Sequence, residues 1–387
     1  MKKVLIIGSK FQYGEIDFTF LKGKNLDIYL SYLEGDIPLK NARAVFYKEL
    51  DTKSIKDIII ENEITVLVCY KDDFLYSAAE IRTQCNLPGL QLSEVRKYKH
   101  KSVMYDLASE KVKTSPYIQY SHELRFSDLI TTLGEPPFFI KPDNLAGAEG
   151  SMKLSNEADF QLWKEYYSKY YSGSIIQPFL NEKLYHCELI VQDNKELYNL
   201  ARVYSYPNHN FLDGKIIVSL PITDSEIKRK VEEAASLVRE ALGFKNGLMH
   251  TEFFVSSDKE ITFLETNVRQ VGGTISLIHK DIIGMSFETA LILIESDIAI
   301  EQFDIDESHY HFAGYIPQNA GVVSRFNMPE FQGEVEVNFR VKIGDKLKSP
   351  ISTSNAAASI FGKYDDYQKM MFDFHFIERN QLVEYVP

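Results

Sequence analysis

Glu265, Asn267 and Arg269 stand two residues apart in the stretch Ile261-Thr262-Phe263-Leu264-Glu265-Thr266-Asn267-Val268-Arg269, and Glu252 lies upstream in Gly247-Leu248-Met249-His250-Thr251-Glu252-Phe253-Phe254. Two alternating apolar runs, Leu248 to Val255 and Ile261 to Val268, flank the polar turn Ser256-Ser257-Asp258-Lys259-Glu260, which predicts a β-hairpin. Residues two apart share a face of a strand, so Glu265 and Asn267 point the same way and Arg269 continues the row if the strand persists. Glu252, on the partner strand, can be brought opposite. Two carboxylates and an amide oxygen converging in this way make a hard oxygen site suited to Mg²⁺ carrying phosphates. The competing reading is a strand with a solvated polar face.

Other residues invite chemistry less directly. Phe138-Phe139-Ile140-Lys141-Pro142 reads as an apolar strand ending on a lysine, with Pro142 helping to stop it. The loop Asp143 to Ser151 that follows is made mostly of small residues, including Gly147 and Gly150. Such a loop lets backbone N–H groups approach phosphates, and the adjoining lysine can supply a point charge, although an ordinary hairpin turn has the same composition. Lys97, Lys99, His100 and Lys101 make a locally basic face on a helix expected over 93–110, with Ser93 as its N-cap. His186 and His250 sit on alternating strands, where a satisfied structural histidine is the simpler reading. Arg202 could reach a phosphate or a substrate carboxylate, or pair with a surface acid.

The elements that must hold these residues follow from periodicity. Val4 to Ile7, Leu26 to Leu30 and Ile64 to Tyr70 read as strands, and Thr52 to Glu63 as a helix with Ile55, Ile58, Ile59 and Ile60, so residues 1–95 imply a small α/β domain with a parallel sheet. Gly8 and Gly14 do not form the G-x-G-x-x-G fingerprint, which disfavours a dinucleotide-dependent oxidoreductase. Glu157 to Tyr171 is expected to be a helix whose stripe Phe160, Trp163, Tyr167 and Tyr170 belongs to a core. Ser174 to Leu180 reads as a strand, Tyr185–Val191 and Leu197–Tyr204 as a hairpin about Asp193-Asn194, and Lys228–Leu242 as an amphipathic helix capped by Gly243. Gly272-Gly273 leave room for a substrate or a helix N-terminus, Phe287–Ile294 is an apolar helix, and beyond residue 300 the chain turns β-rich, with a helix over 364–374.

Composition narrows the class. With 387 residues, 44% hydrophobic and 25% charged, the chain is long enough for two or three globular domains. Its 43 basic and 55 acidic residues leave a formal charge of −12, which argues against a general nucleic-acid or anionic-membrane surface. Three scattered cysteines, Cys69, Cys85 and Cys187, show no metal-ligand spacing and suggest reduced thiols in a cytoplasmic setting. The apolar run after Met1-Lys2-Lys3 is too short for a signal peptide, and no stretch approaches a membrane span.

Taken together, these pieces resemble the ATP-grasp superfamily over roughly residues 1 to 380. His100-Lys101-Ser102-Val103-Met104, followed by Val112-Lys113-Thr114-Ser115-Pro116, resembles the family's first-lysine motif, and Ile140-Lys141-Pro142 its second. Gln177-Pro178-Phe179-Leu180-Asn181-Glu182-Lys183-Leu184-Tyr185-His186-Cys187-Glu188 is similar to the interdomain hinge, and the opening hairpin is a nearly complete G-x-x-H-x-E-F-x…L-E-x-N-x-R-x-x-G-G.

The resemblance implies an ATP-grasp fold, α/β and α+β: an N-terminal α/β pre-ATP-grasp domain at 1–95, an ATP-grasp domain at 96–300 with a lid at about 112–178, and a C-terminal β-rich closing segment at 301–387. It implies Lys101, Lys141, Gly147, Gln177, Phe179, Leu180 and Glu182 around ATP, with the backbone of Phe179 and Leu180 facing adenine. The family's ribose-binding glutamate falls on Leu184, a departure that leaves two readings: Glu182 substitutes for it, or the ribose is held less tightly. Glu252, Glu265 and Asn267 match the ligands of Mg²⁺ (two ions, with Mn²⁺ as a substitute), and Arg269 with Lys141 matches the catalytic cations. The implied activity joins a small-molecule carboxylic acid to an amine through an acyl phosphate, with an amino acid or peptide-like substrate foremost and a homodimer as a common assembly among similar proteins. A thioester formed on a carrier protein and a non-catalytic nucleotide-responsive module are the rival readings.

Overall fold

The computed structural model describes residues 1–145 and 149–386. Val4 to Ile7 have no exposed surface, because helices cover both faces of the sheet they join. That sheet has four parallel strands in the order Arg43–Tyr47, Leu26–Leu33, Lys2–Ile7 and Val66–Cys69. Helix Thr52–Asn62 buries Ile55, Ile58 and Ile59 against one face. Asp51 caps it by accepting the Ser54 N–H at 2.7 Å, and Glu63 ends it in the left-handed region at φ 52°.

An eight-stranded antiparallel sheet carries the hairpin. Its order is Ile261–Asn267, Gly247–Val255, Lys183–Gln192, Lys195–Tyr204, Ile217–Pro221, Tyr310–Pro317, Ala356–Tyr364 and Glu334–Phe339, so strands beyond residue 300 complete the sheet that the hairpin begins. Every residue of Gly247–Val255 is buried. Met249 and Phe253 face the helix Ser225–Leu242, while Leu248 and Phe254 face the opposite layer formed partly by helices Ile275–Ile283 and Phe287–Glu295. The hairpin therefore has no fully solvated face, although Ile261, Leu264 and Glu265 on its other strand are only partly buried. Its one irregularity is a bulge: Glu252 pairs with Glu265, but Phe253 pairs with Phe263, leaving Leu264 as an extra residue. Without it, Glu265 would share the face of Phe263. The bulge turns Glu265 and Asn267 to the face of Glu252 and His250.

Residues 118–178 form a separate antiparallel sheet, Ile118–Gln119, Ser174–Pro178, Phe138–Pro142 and Met152–Leu154. Phe138 and Ile140 fill its core with Phe160 and Trp163. By alternation Phe139 and Lys141 point the other way. A further small sheet joins Lys346–Leu347, Gly321–Phe326 and Val383–Val386.

Three helices differ from expectation. The helix expected over 93–110 is a 3₁₀ turn, Val95–Tyr98, followed by an α-helix, Lys101–Ala108. Asp143 causes the break: its backbone carbonyl accepts the Lys101 N–H at 2.9 Å, its carboxylate accepts the Ser102 N–H at 2.7 Å, and His100 Nδ1 bonds the same side chain at 2.7 Å. A distant residue thus caps the helix and makes Lys101 its first residue. The helix expected to reach Tyr171 ends at Tyr166, so Tyr167 and Tyr170 are exposed and only Phe160 and Trp163 of the stripe are core. The helix expected from Tyr364 is Tyr367–Arg379; Asp366 caps it through the Lys369 N–H at 2.9 Å, and Tyr364 ends a strand instead.

Because Asp143 lies two residues beyond Lys141, it ties the two lysine-bearing elements together. Asp143→Ala should lower unfolding free energy by about 1–2 kcal/mol, measured by urea denaturation. An unchanged midpoint would show that the cap is not needed to hold the helix.

Candidate active site

Between the small sheet and the hairpin lies a cavity of about 200 Å³. Lys101, Lys141, Gln177, Phe179 and Leu180 line it, as do Glu252, Glu265, Asn267 and Arg269. Of the residues expected at the site, Gly147 lies outside the described residues. Glu182 does not reach the lining. It sits half-buried near Lys113 and Glu260, with its carboxyl raised by burial and its Oε2 without a hydrogen-bond partner among the described residues. Leu184 does line the cavity, so the departure from a glutamate leaves an apolar wall there.

The lysines are held by the elements that carry them. Lys101 Nζ lies 3.2 Å from Glu265 Oε2 and also donates to the Leu145 carbonyl. Lys141 Nζ donates to the Tyr105 hydroxyl at 3.0 Å, and that hydroxyl donates to the Leu264 carbonyl at 2.7 Å. Tyr105, one turn after Lys101 on the same helix, therefore joins Lys141 to the bulged residue. Burial, together with the nearby Lys101 charge, lowers Lys141 from 10.5 to about 7, against the opposing pull of Glu265. Burial would raise Glu265, but Lys101 and Lys141 hold it below the ordinary carboxylate range.

Glu252 stands directly across from Glu265, and His250 across from Asn267. Glu252 Oε1 accepts from Asn208 Nδ2 at 3.0 Å and contacts His250 Nε2 at 3.2 Å. Behind them Glu188 Oε1 is shared by His186 Nδ1, at 2.9 Å, and His250 Nδ1. Burial would lower His250, but Glu188 and then Glu252 raise it to about 9, while Glu188 is held far below its ordinary range. Burial lowers His186. The structural reading of the two histidines thus holds for His186, which also meets Ser219 Oγ at 2.9 Å, but His250 reaches a cavity carboxylate.

At the other end, Phe139, Phe179 and His209 place their rings 5.4 to 6.0 Å apart. The Phe179 N–H is committed to the Pro137 carbonyl at 2.9 Å, so of the two hinge residues expected to offer backbone groups, Phe179 has only its carbonyl left. Arg269 lines the cavity and donates to the Gln270 carbonyl at 2.7 Å. The room expected at Gly273 is taken by Tyr315, whose hydroxyl would lie 1.5 Å from an added Cβ; Gly272 does line the cavity. Arg202 reaches neither the cavity nor a surface acid: it is buried, with Nε on Ser219 Oγ at 2.8 Å and a second nitrogen on the His311 carbonyl at 2.6 Å.

Sequence reasoning passed over Tyr105, Asn208, Glu188 and Phe139. Three of them carried a periodic signal: Tyr105 is four residues after Lys101 on a helix, Phe139 two before Lys141, and Glu188 two after His186 on a strand. Asn208 lies on a 3₁₀ turn between strands and carried none.

The donor set suits a divalent cation with phosphates. Glu252, Glu265 and Asn267 offer oxygen only, the preference of Mg²⁺. Lys141, deeply buried, has a phenol rather than a carboxylate as its direct partner, an arrangement that an incoming anion would complete. The same burial sets a stability signature. Below pH 7 the folded protein must keep a desolvated ammonium; above it Lys141 becomes neutral in the folded state while the unfolded state stays protonated until about 10.5, so its unfavourable contribution fades as pH rises. Lys141→Met should therefore be more stable than the parent at pH 6.5, with the gap shrinking by pH 9, as read from urea midpoints. Equal stability at pH 6.5 would contradict this.

No protein-family model matches the chain. The D-alanine–D-alanine ligase of Staphylococcus carnosus is 26% identical over 165 residues, which is 39% of this chain and 46% of that protein. The chain thus spans about half the length of the curated relatives it matches. The L-amino acid ligase from Bacillus licheniformis superposes with a TM-score of 0.79 at 16% identity, covering 100% of this chain and 99% of that one. The biotin carboxylase domain of 2-oxoglutarate carboxylase from Hydrogenobacter thermophilus, solved with MgADP, ADP and bicarbonate, gives 0.73 at 14% identity over 100% and 90%. Among the described residues no helix is long and apolar enough to cross a membrane. The sheet architecture over the whole length is the ATP-grasp fold that these structures share, and part of the chain is similar in sequence to D-alanine–D-alanine ligases.

Proposed function

We propose that the chain is an ATP- and Mg²⁺-dependent ligase that joins a carboxylic acid to an amine through an acyl phosphate, with an amino acid or peptide-like substrate. One observation carries the reading: Glu252 faces Glu265 across the hairpin, in the same cavity as two buried lysines from other elements. The names of the relatives, a D-alanine–D-alanine ligase and an L-amino acid ligase, favour amino-acid substrates.

In this reading the carboxylate oxygen attacks the γ-phosphorus, the bond to the β,γ-bridging oxygen breaks and ADP leaves. The amine nitrogen then attacks the acyl carbon, loses a proton and expels phosphate. No side-chain nucleophile is required; the protein contributes charge and position. Mg²⁺ bound with the nucleotide supplies charge neutralisation at the transferring phosphoryl group, for one or two ions, and Mn²⁺ would serve similarly. Glu252, Glu265 and Asn267 are its assigned holders. Lys101 and Lys141 bind the α- and β-phosphates, and the hinge at Gln177, Phe179 and Leu180 holds the base. Arg269, just beyond the carboxylate strand that ends at Asn267, stabilises charge that develops on the transferred group.

The test is a matrix of candidate acids against amines, read as phosphate release from Mg·ATP. With an active pair in hand, Glu265→Gln and Arg269→Ala should each lower turnover on the order of 10²–10³-fold while leaving the melting temperature within a few degrees. Near-normal turnover in either variant would sink the assignment, and phosphate release with no dependence on acid and amine would favour a nucleotide-responsive module.

A further inference from the structure

The chain buries a carboxylate that the proposed reaction does not use. Glu188, on strand Lys183–Gln192, is 1% exposed, and its Oε2 has no hydrogen-bond partner among the described residues. A buried charge left half-satisfied is a poor device for stability and calls for another explanation. Its Oε1 supplies one. It receives His250 Nδ1, and the other nitrogen of that ring, Nε2, lies 3.2 Å from Glu252 Oε1. A histidine bonded through both nitrogens to carboxylates cannot rotate without losing one of them.

Asn208 Nδ2 donates to the same Glu252 oxygen at 3.0 Å. Oε1 of Glu252 is therefore taken twice, and Oε2 has no hydrogen bond among the described residues. We propose that Glu188 is a positioning residue for the metal ligand Glu252, acting through His250 so that Glu252 presents one chosen oxygen to the cation. The assignment rests on the ligase reading, which places the cation at Glu252.

His186, Glu188 and His250 bring ligand atoms within 4.8 Å of one another, the spacing of a metal centre. The hydrogen bonds speak against it. Both Nδ1 atoms already point at Glu188 Oε1, and His186 Nε2 is spent on Ser219 Oγ at 2.9 Å, so the donors face each other rather than a shared ion. Carboxylate–histidine pairs behind a ligand commonly tune metal affinity by about 10–100-fold.

The test is Mn²⁺ titration of the full chain with ADP, followed by electron paramagnetic resonance, beside binding of a fluorescent ADP analogue in EDTA. His250→Leu and Glu188→Leu should each weaken Mn²⁺ binding in the nucleotide complex by about 10–100-fold and change metal-free nucleotide affinity by less than about twofold. Glu188→Gln, which keeps an acceptor oxygen, should recover most of the loss. If Glu188 works only through His250, the double leucine variant is no weaker than His250→Leu alone. Multiplying losses, or a parallel fall in metal-free nucleotide affinity, would overturn the proposal. So would a tight Mn²⁺ site in the nucleotide-free parent that Glu188→Leu removes. A parent protein that binds no Mn·ADP overturns the ligase reading and this assignment together, whereas a binding parent with unaffected variants overturns only the latter.

Discussion

A single extra residue in one strand sets the geometry of the cavity. Leu264 interrupts the pairing between Gly247–Val255 and Ile261–Asn267, and everything C-terminal to it in that strand changes face. Glu265 then stands across from Glu252 rather than under the helix layer. The bulge also turns the Leu264 carbonyl away from the ladder, where the Tyr105 hydroxyl bonds it. Since the same hydroxyl accepts from Lys141, one phenol couples the carboxylate hairpin, the Lys101 helix and the Lys141 strand. Three elements from three parts of the chain are thereby held to one spacing.

The second joint is Asp143, which caps the Lys101 helix from the loop that follows Lys141. Both joints use hydrogen bonds to backbone groups, which fix position more tightly than side-chain ion pairs on flexible stems. The lysines can therefore be buried without a rigid partner of their own. Lys141 makes its direct contact with a phenol, and Lys101 shares Glu265 with the rest of the cluster. Such an assembly is expensive for the folded state, because desolvated charges repay their cost only with good geometry and complete partners. Burial lowers the Lys141 ammonium in the direction that such a cost requires. Phosphate oxygens would supply the missing partners.

The hinge side follows different physics. Phe139, Phe179 and His209 offer rings, and Leu184 replaces a polar group with an apolar wall. In the proposed reading, recognition there would depend on stacking and apolar contact, with fewer charges to place. The two ends of the cavity would then divide the work: the hinge would bind by surface, while the hairpin and the lysines would act by charge.

The sequence alone established the kinds of element and the residues of the charged row. Alternation placed Glu265 with Asn267 and Lys141 with its strand, and the helical period over Lys228–Leu242 lies within the helix Ser225–Leu242. Those signals are local, because side-chain direction within one strand or helix depends only on neighbours in the chain. What the chain could not announce was set by contacts between distant parts. The helix break before Lys101 comes from Asp143, 42 residues on; the bulge at Leu264 is met by Tyr105 from another helix; and Arg202 is drawn into the core by Ser219 and His311. Glu182 stood as a substitute for a ribose ligand by position, yet it lies outside the cavity lining, whereas Leu184 on the strand that begins at Lys183 is part of it. Spacing in sequence decides which residues share a face; only packing decides which faces meet.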